Sequence, residues 1–131
     1  MQGAVRSNSG TTVRDFKELI AYQKSYELVL RVYQLTGSFP KEELYGLTSQ
    51  IRRAAVSVPS NIAEGAARGG SKEFIRFLYI ALGSLSEVET QIILSNDLGY
   101  LEDPKEILEK VGRIGRLLIG LIKNIKGKIP S

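Results

Sequence analysis

The chain has 131 residues, no cysteine, no histidine, 43% apolar and 24% charged residues, and a net charge of +4. That length supports one domain with its own core. The missing residue types exclude disulfides, CxxC or histidine-based metal sites, and most mechanisms that need an imidazole or a thiolate.

Residues 1–14 (MQGAVRSNSGTTVR) lack an apolar period and are rich in Gly, Ser, Thr and Asn, which reads as a mobile leader. The first helical pattern runs from about Asp15 to Thr36, with Phe16, Leu19, Ile20, Tyr26, Val29, Leu30 and Tyr33 at three- and four-residue steps. Gly37 stops it. Pro40, Glu42 and Glu43 mark a second helix start, since proline suits a first turn and acids suit a helix N-terminus.

The second helix extends to about Ala67, with Ile51, Ala54, Ala55, Val58, Ile62 and Ala66 as its apolar face and Pro59 in its middle. An internal proline removes one backbone hydrogen bond and clashes with the preceding turn, at a cost of roughly 3 kcal/mol. A kink at Pro59 is expected. A full break is the alternative, because Asn61 followed by Glu64 resembles a fresh capping box.

After the Arg68-Gly69-Gly70 turn, Ser71 caps a third helix whose stripe is Phe74, Phe77, Leu78, Ala81, Leu85, Val88 and Ile92, closed by Gly99. Asp103-Pro104-Lys105-Glu106 then reads as N-cap, N1 proline and N3 acid. The fourth helix carries Ile107, Val111, Ile114, Leu118, Leu121 and Ile125 and ends near Gly127. No strand alternation or hairpin signal appears. The predicted fold is an all-α, antiparallel up-down four-helix bundle over residues 15–127, followed by a tail over 128–131.

Leu108, Leu117, Ile119 and Ile122 widen the apolar face of the fourth helix beyond one seam. Gly112, Gly115 and Gly120 each cost about 1 kcal/mol relative to alanine in a helix interior. Small residues beside surplus apolar ones imply a close helix approach, either inside the protomer or between copies. The same helix is strongly basic: after Glu109 there is no acid, while Lys110, Arg113, Arg116, Lys123, Lys126 and Lys128 follow. Such a stripe suits RNA phosphates, and equally a solvated face near a helix C-terminus. Arg68, Lys72 and Arg76 add cations near Tyr79, which could stack a base.

A polar cluster of Arg52, Arg53, Ser57, Asn61 and Glu64 surrounds Pro59. It could recognise a ligand. In the structural reading, Ser57 and Asn61 satisfy backbone groups freed by the proline, and the arginines pair with Glu87 and a partly shielded Glu89 on the third helix. No catalytic pair is legible. Glu87 and Glu89, two residues apart on a helix, diverge, and Ser57, Ser84 and Ser86 have no histidine to activate them. No facing set of acids calls for a metal, the GAARGGS turn lacks phosphate-loop spacing, and no cofactor is expected. No apolar run reaches the ~20 residues of a membrane span, and the N-terminus lacks the apolar centre of a secretion signal. With the absent cysteines, this points to a cytoplasmic protein without a membrane partner.

Three stretches carry a resemblance: DFKELIAYQKSYELVLRVYQLT (Asp15–Thr36), QIRRAAVSVPSNIAEGAAR (Gln50–Arg68) and KEFIRFLYIALGSLSEVETQ (Lys72–Gln91). Together they resemble the four-helix-bundle family of proteins encoded within intervening sequences of bacterial 23S rRNA genes, over about residues 15–125. Tyr22 departs from that pattern, which more often has tryptophan. The resemblance implies a bacterial, cytoplasmic, non-enzymatic bundle. It also implies similarity to the accessory protein of diversity-generating retroelements, which forms a five-membered barrel and engages RNA and a reverse transcriptase through a basic surface. The expected function is a non-catalytic homo-oligomer, a pentamer by resemblance, that associates with structured RNA. The alternative is a protein adaptor or scaffold, for example for a reverse transcriptase, without RNA contact.

Overall fold

A computed structural model describes residues 15–130 as four α-helices with no strand: α1 Ile20–Thr36, α2 Leu47–Ala67, α3 Ser71–Asp97 and α4 Lys105–Gly127. The leader over 1–14 and residue 131 of the tail lie outside the described residues. Each helix packs on the two beside it, in the cycle α1–α2–α3–α4–α1, and the diagonal pairs stay apart. Cross-helix contacts fix the antiparallel order. Arg31 near the end of α1 meets Glu106 at the start of α4 at 2.9 Å, and Tyr79 in early α3 meets Lys126 in late α4 at 3.0 Å. This is the up-down bundle that the short turns predict.

The stripe of α3 is buried as predicted, from Phe74 to Ile92. By length and composition α3 is also apolar enough to cross a membrane, but its stripe forms the middle of the bundle core. In α4 the buried row is Ile107, Val111, Ile114, Leu118, Ile122 and Ile125. Ile122 takes the place predicted for Leu121, which is only half-buried. The step from Leu118 to Ile122 keeps the row on the core side of a 3.6-residue helix.

The predicted row of α1 is only partly inside: Phe16, Leu19 and Val29 pack against the core, but the rest do not. The core row of α1 is Ala21, Ser25, Leu28, Val32 and Thr36, while Ile20, Tyr26, Leu30 and Tyr33 are 45–55% exposed. Two buried hydroxyls make this possible. Ser25 donates to the Ala21 carbonyl at 2.6 Å and Thr36 to that of Val32 at 2.7 Å, so neither enters the core unsatisfied. The helix also starts later than predicted. Phe16–Glu18 form a single 3-10 turn capped by Asp15, and Leu19 is extended.

α2 likewise starts at Leu47, after a 3-10 turn over Lys41–Glu43, because Gly46 (φ −116°, ψ −113°) breaks helical geometry between the two. Glu43 bridges the break. Its carboxylate accepts from the Leu47 N–H at 3.1 Å and from the Tyr100 hydroxyl at 3.0 Å, capping α2 and tying it to the α3–α4 turn. From Leu47 onward α2 is unbroken through Pro59. The predicted Asn61–Glu64 capping box does not form, since Asn61 bonds back to Ser57.

At the start of α3, Gly70 rather than Ser71 holds the cap position, with no side-chain bond. Its end is a Schellman turn: Gly99 at φ +83°, with Tyr100 N–H to the Ser95 carbonyl and Gly99 N–H to that of Asn96. Asp103 accepts from the Lys105 N–H at 3.0 Å, but α4 begins one residue later than predicted, with Pro104 rather than Asp103 in the cap position.

Candidate nucleic-acid interface

The core row of α4 leaves its opposite side to solvent. There Arg113, Arg116 and Lys123 are exposed, and among the described residues none of them forms an ion pair. Gly112 and Gly120 intersperse them. A methyl group at Gly120 would meet nothing within 4 Å, and one at Gly112 only the Arg116 guanidinium of the same helix. Tight packing inside the protomer therefore does not account for these two glycines. Gly115 alone faces a neighbouring helix, with Leu85 3.6 Å from such a methyl. Towards α1, Arg113 shares a cleft with Lys110, Lys24 and Glu27. The prediction missed Lys24, which only tertiary packing brings to this edge; Glu27 is itself paired with Lys24 at 3.4 Å.

The other predicted RNA contacts are not equivalent. Lys126 donates to the Tyr79 hydroxyl and lies 5.3 Å from the ring centroid, so that tyrosine is joined to α4. Arg68 is paired with Glu64 at 2.8 Å and Arg76 with Glu73 at 3.4 Å, and both guanidinium groups lie within 5 Å of the Phe77 ring. Their charge is locally balanced. Lys72 is exposed.

The polar cluster divides into separate parts. Arg52 faces α1, not α3: its Nε donates to Thr36 Oγ1 at 2.8 Å, and its guanidinium lies 4.5 Å from the Tyr33 ring centroid. Consecutive helical residues point about 100° apart, so Arg53 projects from the outer edge of α2, between the α1 and α3 sides. It lines an α2–α3 groove of about 470 Å³ with Glu87, Ser57 and Ser84, but forms no ion pair with Glu87. Glu89 is exposed, not shielded. The predicted arginine–glutamate pairing is thus absent. Ser57 and Ser84 share a 2.8 Å hydrogen bond across the helices, and Asn61 donates to the Ser57 hydroxyl and carbonyl. The carbonyl that Pro59 deprives of its helical donor is that of Ala55, so Asn61 does not compensate for the proline. These hydroxyls are held in a structural tie.

Among the described residues no three acids converge as a cation site requires. The Tyr100 hydroxyl is held above its ordinary value near 10, first by its hydrogen bond to Glu43.

One feature escaped the sequence reading. The Gly46 break throws Tyr45 out to 93% exposure, beside Tyr33, Arg52 and Arg53 in an α1–α2 groove of about 430 Å³. The next groove along, about 350 Å³, is apolar and lined by Phe16, Tyr22, Tyr26, Val29, Val56 and Pro59 among others.

The sequence pattern described as 23S rRNA-intervening sequence protein matches residues 17–120, most of the chain and all four helices except the end of α4 over 121–127. The chain belongs to that family. Among solved structures, a protein of unknown function from the S23 ribosomal protein family of Bacteroides thetaiotaomicron is similar at 29% identity and a TM-score of 0.73, covering 79% of this chain and 96% of its own. No curated protein matches. For this member of the intervening-sequence family, the shared ground is therefore the four-helix fold and a family whose solved relative is itself of unknown function.

Proposed function

We propose that the protein is a non-catalytic, homo-oligomeric bundle, a cytoplasmic pentamer by its resemblance, that associates with structured RNA through the outer face of α4. The observation that carries this reading is the row Arg113, Arg116 and Lys123, exposed and without acidic partners among the described residues. Unpaired guanidinium and ammonium groups on one helix face neutralise phosphates and release counterions. A ring repeats the row around its axis. Self-association is supported by Ile80 and Leu94 on α3 and Leu98 just past its end, 40–50% exposed. The non-catalytic reading is supported by the hydroxyls of Ser57 and Ser84, which bond to each other in a chain that has no histidine to activate them.

The test is retention of a folded RNA across a salt series. Three phosphate contacts per protomer give a log–log slope of about −2 to −3 for each engaged protomer. Arg113→Glu with Arg116→Glu should abolish retention. Indifference to both salt and charge reversal refutes the RNA reading. Light scattering decides assembly, and a monomer at high concentration refutes that half.

The apolar groove at Tyr22, Tyr26 and Pro59 favours a second reading. An adaptor that takes an amphipathic helix of a reverse transcriptase or another enzyme would use it, and would show the indifference to salt just described.

A further inference from the structure

The groove between α1 and α2 carries a chemistry that α4 lacks. Tyr45 offers an almost fully exposed ring, and Tyr33, 45% exposed, forms the facing wall. Arg52 lies on the Tyr33 ring at 4.5 Å and is fixed there by its bond to Thr36, so this wall is preorganised. Arg53 at the rim is exposed and in no ion pair. The lining holds two arginines, the hydroxyls of Thr48 and Ser49, and no acid. Glu87 belongs to the neighbouring groove on the far side of Arg53.

We propose that this groove binds an unpaired nucleotide of RNA, with the base on Tyr45 against the Tyr33–Arg52 wall and its phosphate on Arg53. Aromatic faces beside uncommitted cations are how proteins hold single-stranded nucleic acid, because every base has a stacking face and every nucleotide a charge. A base inside a duplex is already stacked and cannot offer its face to Tyr45. Charge complementarity decides against a protein helix as occupant. An apolar helix face laid here would cover Arg53 in a groove whose own lining holds no acid, whereas the uncharged groove beside Pro59 imposes no such cost. A volume of about 430 Å³ is that of a small-ligand site.

The inference rests on the RNA reading above but uses another edge of the bundle, so the two can fail separately. Fluorescence anisotropy with a labelled oligouridylate and with a labelled RNA hairpin reads both, in the full chain and in Tyr45→Ala, Tyr45→Phe, Arg53→Gln and the Arg113→Glu/Arg116→Glu pair. Tyr45→Ala should weaken oligouridylate binding about tenfold and leave the hairpin unchanged. Tyr45→Phe should keep the affinity, and Arg53→Gln should lower the salt slope by about one. Oligouridylate binding unchanged in Tyr45→Ala overturns the groove and leaves α4 standing. Hairpin binding that survives the α4 reversal, with oligouridylate binding lost in Tyr45→Ala, does the reverse. No binding of either RNA overturns both. Protection of Tyr45 from nitration by tetranitromethane in the RNA-free assembly also overturns the groove, since a neighbouring copy would then cover it.

Discussion

Two glycine-to-alanine substitutions, chemically identical, are predicted to move stability in opposite directions. At Gly65 in α2 a methyl group would lie 2.7 Å from Phe77 Cβ, 3.0 Å from Phe74 Cδ1 and 3.3 Å from the Phe74 carbonyl oxygen. Carbon pairs prefer 3.5–4.0 Å. Phe77 Cβ is anchored to the α3 backbone and cannot rotate away, so α2 and α3 must part by about an ångström. Overpacking of this kind costs about 1–3 kcal/mol, and a contact with an anchored atom belongs at the upper end. Alanine returns about 1 kcal/mol of helix propensity. The net for Gly65→Ala is about 2 kcal/mol of destabilisation. At Gly120 nothing lies within 4 Å of the new methyl, so only the propensity gain remains, about 1 kcal/mol of stabilisation. Urea unfolding monitored by circular dichroism should separate the two variants by about 3 kcal/mol, a large fraction of a small domain's stability. Gly65→Ala as stable as the wild type refutes the close α2–α3 approach. Gly120→Ala that unfolds normally but no longer assembles places Gly120 between copies.

Arg52→Ala should lower stability by about 1–2 kcal/mol in the same urea assay, because it removes the α1–α2 hydrogen bond to Thr36 and the contact with Tyr33. Ser84→Ala should cost about 1 kcal/mol, since Ser57 keeps its bond to Asn61. The Tyr100–Glu43 bond makes alkaline stability sensitive to Tyr100. With its pKa raised in the fold, its contribution is complete below about pH 10 and is lost as pH rises through the folded value. Tyr100→Phe should therefore flatten the alkaline limb of a stability–pH profile, and an unchanged limb refutes the tie.

The sequence made the helices legible more completely than their faces. α3 has one dominant apolar stripe, so its period and its burial agree residue by residue from Phe74 to Ile92. α1 has two: a row of large side chains through Tyr26, Leu30 and Tyr33, and a row of smaller ones through Ala21, Ser25 and Thr36. Periodicity fits both, and size favours the wrong one. What settles the choice is that serine and threonine in a helix can return their hydroxyl to the preceding turn and so enter a core with the donor already satisfied. The Gly46 break was hidden for a similar reason, because Pro40 and two acids form a good helix start that the chain uses for a 3-10 turn. At the candidate interface, charge in sequence located Arg113, Arg116 and Lys123, but could not tell them from Arg68 and Arg76. The difference is pairing: Glu64 and Glu73 reach Arg68 and Arg76, and no acid follows Glu109 to reach the rest.

These misassignments bear directly on function. The large residues that periodicity would bury in α1 are left on its outer side, and Tyr33 among them becomes one wall of the α1–α2 groove. The break that delays α2 supplies the other wall, because Tyr45 would lie within a helix that began at Pro40 but stands clear of one that begins at Leu47. On α4, by contrast, Ile122 is in the core and Leu108, Leu117 and Leu121 are half-buried, so little of its expected apolar excess is left for a neighbour. A cationic outer face with one exposed isoleucine suits a polyanion better than a greasy subunit contact. The apolar surface available for assembly lies instead on the outer stripe of α3. Charge reversal at Arg113 and Arg116 should therefore leave the oligomer's mass unchanged while it removes RNA, and an assembly that falls apart on reversal contradicts this division of faces.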